Sequence, residues 1–124
     1  WNKILELDPK NKVILTRAGD AYRNTGDYDT ATEYYQKALN IEFDLYAVLG
    51  LALISKGQGK FEEAISSLTR IIQADPKNYR LYIDLADCYI KLGQKQKAID
   101  VLQDFQKLGI RSQAVAEMLE KLLA

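Results

Sequence analysis

This amino-acid sequence predicts an all-α solenoid of antiparallel helix pairs, on three observations. One apolar pattern, with large or small side chains at i, i+3, i+4 and i+7, occurs three times: Leu15, Ala18, Gly19 and Tyr22; Tyr46, Leu49, Gly50 and Leu53; Tyr82, Leu85, Ala86 and Tyr89. That spacing keeps all four side chains on one face of an α-helix. About ten residues beyond each pattern stands an alanine that opens a second helix: Ala31, Ala64 and Ala98. These alanines are 33 and then 34 residues apart, and a period near 34 marks a stack of helix–turn–helix units. Such arrays work as surfaces rather than as reaction vessels.

The elements follow in chain order. Residues 1–7 precede the turn Asp8-Pro9-Lys10-Asn11 as residues 68–74 precede Asp75-Pro76-Lys77-Asn78, so they are expected to be the end of a helix whose partner lies upstream. Proline cannot continue a helix and punctuates both junctions. Helices are expected over 12–25 and 28–40, separated by Gly26-Asp27, then over 44–56, 61–74, 79–92, 95–108 and 112–123. Gly19, Ala31, Gly50, Ala64, Ala86 and Ala98 are the expected close-contact points, because only small side chains let helix axes approach to about 8–10 Å. Tyr22, Tyr28 and Tyr35 are expected to fill the flanking volume. The middle unit departs from the pattern at both turns. Ala38 to Gly50 is 12 residues where Ile71 to Ala86 is 15, so the junction 40–44 is about three residues short and lacks the proline. Gly57-Gln58-Gly59-Lys60 is about two residues longer than Gly26-Asp27 and is expected to be mobile. Ser112 is placed to cap a last helix, whose Val115, Met118, Leu119 and Leu122 would cover the final hairpin.

Composition narrows the function. Lys plus Arg and Asp plus Glu both number 17, so no global field favours nucleic acid or an acidic membrane surface. No apolar run approaches the roughly 20 residues of a membrane span. There is no histidine, and Cys88 is the single cysteine; a zinc site lacks donors, and nucleophile pairs of Ser or Cys with His are unavailable. Cys88 takes the small-residue position held by Ala21 and Ala52 and reads as a buried small hydrophobe. Gly57-Gln58-Gly59-Lys60 superficially resembles a phosphate loop, but Ile54 stands where that motif needs its first glycine and Phe61 where it needs Ser or Thr. The carboxylate pairs Glu62 with Glu63 and Asp84 with Asp87 read as solvated helix faces. No catalytic, cofactor or metal site is expected, and the compartment stays open between cytoplasm and periplasm.

Together these residues resemble the tetratricopeptide repeat family, whose pattern is W-x₂-L-G-x₂-Y, then A-x₃-F, then P. Residues 26–39, with Gly26, Tyr28, Ala31, Tyr35, Ala38 and Leu39, are similar to it almost throughout; 93–105 is looser, with Lys95 and Leu102 in aromatic positions. The resemblance divides the chain into 1–11 (second half of a repeat), 12–43, 44–78 and 79–110 (repeats) and 111–124 (capping helix), a fragment of a larger protein. It implies a right-handed superhelix whose first helices line a concave groove for extended or helical segments of other proteins.

In repeat phase the groove residues are Thr16, Asp20, Arg23 and Asn24; Ala47, Leu51 and Ile54; and Arg80, Ile83, Asp84, Asp87 and Lys91. Family members that grip an acidic chaperone tail use Lys, Asn and basic residues at positions held here by Thr16, Asp20, Val48, Arg80 and Asp84. Only Arg80 conforms, so that carboxylate clamp is not expected. Two readings of the apolar centre stay open: Leu51, Ile54 and Ile83 pack between helices, or they floor a groove for an apolar segment flanked by Lys or Arg, with Asp20, Asp84 and Asp87 taking the flanks. The expected function is a protein-binding scaffold module. The alternatives are a structural subunit that mainly self-associates and a targeting arm of an enzyme encoded elsewhere in the protein. Separately, the helix at 1–7 lacks its partner, so Trp1, Leu5 and Leu7 are expected to form an uncovered apolar face through which the fragment self-associates.

Overall fold

The computed structural model describes residues 12–124, and among them are seven helices and no strand. They fall into two compact units divided between Gln58 and Gly59. The first holds α1 (Lys12–Asn24), α2 (Tyr28–Ile41) and α3 (Leu45–Gly57). The second holds α4 (Phe61–Ala74), α5 (Tyr79–Lys91), α6 (Lys95–Gln106) and α7 (Gln113–Leu123). The expected helix at 1–7, its following turn and the Trp1, Leu5 and Leu7 surface lie outside the described residues.

Unit 1 closes around Leu15, Ala31, Tyr35, Ala38, Ala47 and Ile54, with Tyr22, Tyr28, Tyr34, Leu39 and Leu51 packed at its margin. Gly19, Ala31 and Gly50 are buried, as the repeat pattern predicts. Tyr35 corrects the expectation of a flanking aromatic. It is 0% exposed and its ring occupies the space that side chains on Gly19 and Gly50 would need: a Cβ would lie 2.6 Å from the ring at Gly19 and 2.2 Å at Gly50. Both helix glycines therefore exist for one tyrosine. The flanking role belongs instead to Tyr22, stacked on Tyr34 with centroids 5.4 Å apart and planes 6° from parallel.

The two unusual turns have physical explanations. The shortened junction makes Asp44 the N-cap of α3, where its Oδ1 accepts the Tyr46 amide at 3.1 Å. Gly57, expected in a loop, is the last residue of α3; a Cβ there would meet the Tyr28 hydroxyl at 2.5 Å. The turn proper is Gln58–Lys60, and Gly59, at φ 81°, supplies its left-handed residue.

Unit 2 is built on Tyr82, Ala86, Ala98, Ile99, Leu102, Phe105, Val115 and Leu119. Tyr82 packs on Phe105 with centroids 5.0 Å apart and planes at 58°, a tilted arrangement that suits the ring quadrupoles. Its hydroxyl donates to the Pro76 carbonyl at 2.8 Å and ties the Asp-Pro turn to α5. Ser112 Oγ accepts the Val115 amide at 3.3 Å, so α7 is capped as expected. It buries Val115 and Leu119 against the hairpin, with Met118 and Leu122 beside them. Ala64, Ala86 and Ala98 are buried, and so is Cys88.

Candidate partner-binding face

The residues expected to face a groove divide between the two units, and the structure sorts them sharply. In unit 1, Thr16, Ala47 and Ile54 are buried and belong to the core or its edge. For Ala47 and Ile54 the packing reading is the one the structure supports, because both lie in the cluster around Tyr35. Leu51 is half-buried against the same cluster, and Asn24 is exposed. In unit 2, Ile83 packs half-buried on the core, Arg80 and Lys91 are exposed, and Asp84 and Asp87 are half-buried rather than solvated. Glu62 and Glu63 are exposed. Arg80 Nε donates to its neighbour's Tyr79 hydroxyl at 3.4 Å, with the guanidinium 5.9 Å from that ring.

Asp20 and Arg23 are fixed from beneath. The Tyr35 hydroxyl donates to Asp20 Oδ1, Arg23 Nε donates to the Tyr35 oxygen at 3.1 Å, and Arg23 Nη2 lies 3.7 Å from Asp20 Oδ1. One of the two open readings gives Asp20 a cationic flank of a ligand; in the structure its carboxylate already holds a phenol and a guanidinium of its own chain. Thr16 is likewise engaged, its hydroxyl donating to Asp44 Oδ2 at 2.7 Å. Both oxygens of Asp44 are thus used, one by Thr16 on α1 and one by the Tyr46 amide on α3.

Between these anchored groups α1 and α3 leave a cleft of about 410 Å³ lined by Lys12, Val13, Thr16, Arg17, Asp20, Asp44 and Tyr46. Tyr46 is 70% exposed and Val13 51%. Phe43, in the short junction, is exposed as well. The repeat phase missed Tyr46, because it occupies a position that its counterpart Leu15 buries, whereas Val13 and Arg17 share the phase of Arg80 and Asp84 and were within its reach. The signal available was the three-residue loss in the junction, which alters how α3 starts.

Burial, and then the hydrogen bond to Asp20, push the Tyr35 phenol up to about 12 from its ordinary 10. The folded state therefore keeps this proton through a pH range in which the unfolded chain has lost it. The associated stability is complete below pH 10 and falls away between about 10 and 12. A shift of this size corresponds to on the order of 2–3 kcal/mol. Urea midpoints measured on both sides of that range should therefore fall further for wild type than for Tyr35→Phe, whose remaining titrating groups are the same. Equal losses would remove Tyr35 as the buried acid.

No helix among the described residues is long and apolar enough to cross a membrane, and no group of His, Cys, Asp or Glu among them could hold a metal ion.

Comparison with known proteins agrees with the repeat architecture. The chain is 29% identical over 98 residues to the photosystem I assembly protein Ycf3 of Prochlorococcus marinus, covering 74% of this chain and 57% of that one. Curated relatives are longer than this chain, which spans as little as 7% of one of them. Among solved structures, PilF of Pseudomonas aeruginosa superposes with a TM-score of 0.82 at 21% identity, covering 98% of this chain and 56% of that chain. The TPR2AB domain of yeast Sti1, in its pHSP90 complex, gives a TM-score of 0.77 at 20% identity over 90% of this chain and 45% of that chain. At these identities the likeness is one of fold. Residues 14–45 and residues 56–108 each match the tetratricopeptide repeat. Since these two stretches take in more than half of the sequence and coincide with its internal period, the chain belongs to the tetratricopeptide repeat family.

Proposed function

We propose that the chain is a non-catalytic protein-binding module and that the α1–α3 cleft of unit 1 holds a segment of a partner protein. The fold is one that commonly mediates protein–protein interaction and assembly. The observation that carries the choice of site is the pairing of exposed Tyr46 and Val13 at the mouth of a cleft whose polar walls are already fixed. Aromatic side chains in such settings are the usual energetic anchors of an interface. Thr16–Asp44 and Asp20–Tyr35–Arg23 hold the walls before any ligand arrives, which lowers the ordering cost of association. The tail clamp of the chaperone-binding relatives has no place in this reading, since Thr16 and Asp20 stand at two of its positions and are engaged within the chain. Arg80, Ile83, Asp84, Asp87 and Lys91 are proposed as a contact face of unit 2 on repeat phase alone.

Tyr46→Asp tests the site. Tyr46 lies in the first turn of α3 and is mostly exposed, and an acidic residue near a helix N-terminus is favourable, so the fold should be kept. The variant should lose, in a pull-down from the native source, the partners that wild type retains, while its thermal melt stays close to that of wild type. Retention of the same partners would move the site away from this cleft.

A further inference from the structure

We infer that the Tyr35 hydroxyl determines specificity at this cleft. It closes Asp20 and Arg23 on each other, withholds both charges from a ligand, and leaves the cleft to an uncharged segment with a large apolar side chain. The inference rests on the cleft being the binding site. Its first support is where the hydroxyl goes. The Tyr35 ring is fully buried between Gly19 and Gly50, so its oxygen emerges at one place, beside Asp20 and Arg23 of α1. There it donates to Asp20 Oδ1 and accepts from Arg23 Nε at 3.1 Å, while Arg23 Nη2 lies 3.7 Å from the same carboxylate oxygen. The three groups form a closed ring in which one charge cancels the other.

The second support is that these parts occur together. The residues that match Tyr35 in the other two hairpins are Leu68 and Leu102, buried and without a polar side-chain atom. Those that match Asp20 and Arg23 are Leu51 and Ile54 in α3, and Asp87 and Ile90 in α5. Only the first hairpin has both Asp and Arg at these positions, and only there does the second helix supply a phenol. The third support is the lining, which is balanced as a whole, with Lys12 and Arg17 against Asp20 and Asp44. Lys12 also lies 3.5 Å from Glu42, and Asp44 caps α3 at its positive end. No net field therefore draws in a charged ligand. A cation that took Asp20, or an anion that took Arg23, would open the ring and leave a buried phenol short of a partner. The cost of that exceeds the gain from one exposed ion pair. A neutral apolar side chain meets no such cost against the exposed Val13 and Tyr46.

The test is selection of a randomised peptide library, displayed on phage, against immobilised wild type, with Tyr46→Asp as the counter-selection. Enriched sequences should centre on a large aliphatic or aromatic residue without Asp, Glu, Lys or Arg beside it. The affinity of the synthetic peptide should change less than about twofold over a roughly tenfold rise in salt. In labelled wild type the Arg23 Nε–H resonance should be unmoved by that peptide. Tyr35→Phe keeps the ring and removes only the oxygen. It should admit charged sequences to the selection, with a salt response of up to about fivefold, the effect of one exposed ion pair. A role in stability alone would lower all affinities together and leave the selected class and the salt response as they are. If Tyr35→Phe does not fold, the wild-type selection and the Arg23 resonance decide. Charged sequences that depend on Tyr46, a peptide-induced shift of Arg23 Nε–H, or a folded Tyr35→Phe with the wild-type selection and salt response would overturn the role of Tyr35 and leave the cleft as the site. Sequences bound equally by Tyr46→Asp, or no enrichment at all, would overturn the cleft and the inference with it.

Discussion

Gly50→Ala is expected to destabilise unit 1 although alanine is the better helix former. The substitution gains about 1 kcal/mol of helix propensity. Against this, the new Cβ lies 2.2 Å from the Tyr35 ring, far inside van der Waals contact. The ring has nowhere to retreat: its other side meets Gly19, and its hydroxyl is bonded to Asp20 and Arg23. Overpacking of this kind costs about 1–3 kcal/mol and occasionally more, so the net result is a loss. Gly19→Ala, with its closest approach at 2.6 Å, should lose less. Combining Gly50→Ala with Tyr35→Leu should cost less than the sum of the two single changes, because residues in contact do not add. Urea denaturation of the four proteins reads out the cycle; additive losses would mean that Tyr35 does not occupy the space between these glycines.

Phe105→Ala should have the largest effect in unit 2. Phe105 is 1% exposed and is among the largest fully buried side chains. It contacts the Tyr82 ring and shares its cluster with Leu102, Val115 and Leu119. Removing a buried phenylalanine costs about 3–5 kcal/mol, because the transfer loss and the cavity add. That is a large part of the roughly 5–15 kcal/mol that holds a domain folded. Since α7 packs on the same cluster through Val115 and Leu119, its amides should exchange with solvent sooner than those of α4 in this variant. The neighbouring Leu108 is 47% exposed, and Leu108→Ala should stay within about 0.5 kcal/mol of wild type. Similar losses in both variants would indicate that Phe105 is not at the centre of the core.

The helices and their small-residue contacts were legible because they rest on periodicity, which a single sequence carries in full. Gly19, Ala31, Gly50, Ala64, Ala86 and Ala98 were read from spacing alone, and all are buried. Ser112 as a cap and α7 as a cover were equally readable from residue type and order. What periodicity does not carry is which large side chain fills the space that small ones leave. Tyr22, Tyr28 and Tyr35 are alike in composition, yet only Tyr35 passes between two glycines of different helices. Phase likewise gives a side chain's direction but not its engagement. Thr16 and Asp20 hold expected groove positions, while their polar atoms are taken up by Asp44 and Tyr35. Tyr46 was missed because a shortened junction changes the exposure of a position that the repeat pattern treats as equivalent to Leu15, whereas Val13 shares the phase of Arg80 and was within reach of the pattern.

The most direct test of the unit 1 cleft as the binding face is a nuclear magnetic resonance titration of the isotopically labelled chain with a peptide captured from a displayed random library by wild type and not by Tyr46→Asp. Saturable amide shifts are expected at Val13, Thr16, Arg17 and Tyr46, and Tyr46→Asp should shrink them at equal peptide concentration. Saturable shifts confined to α5 or α7, with these four residues unmoved, would contradict the assignment of the partner to this face.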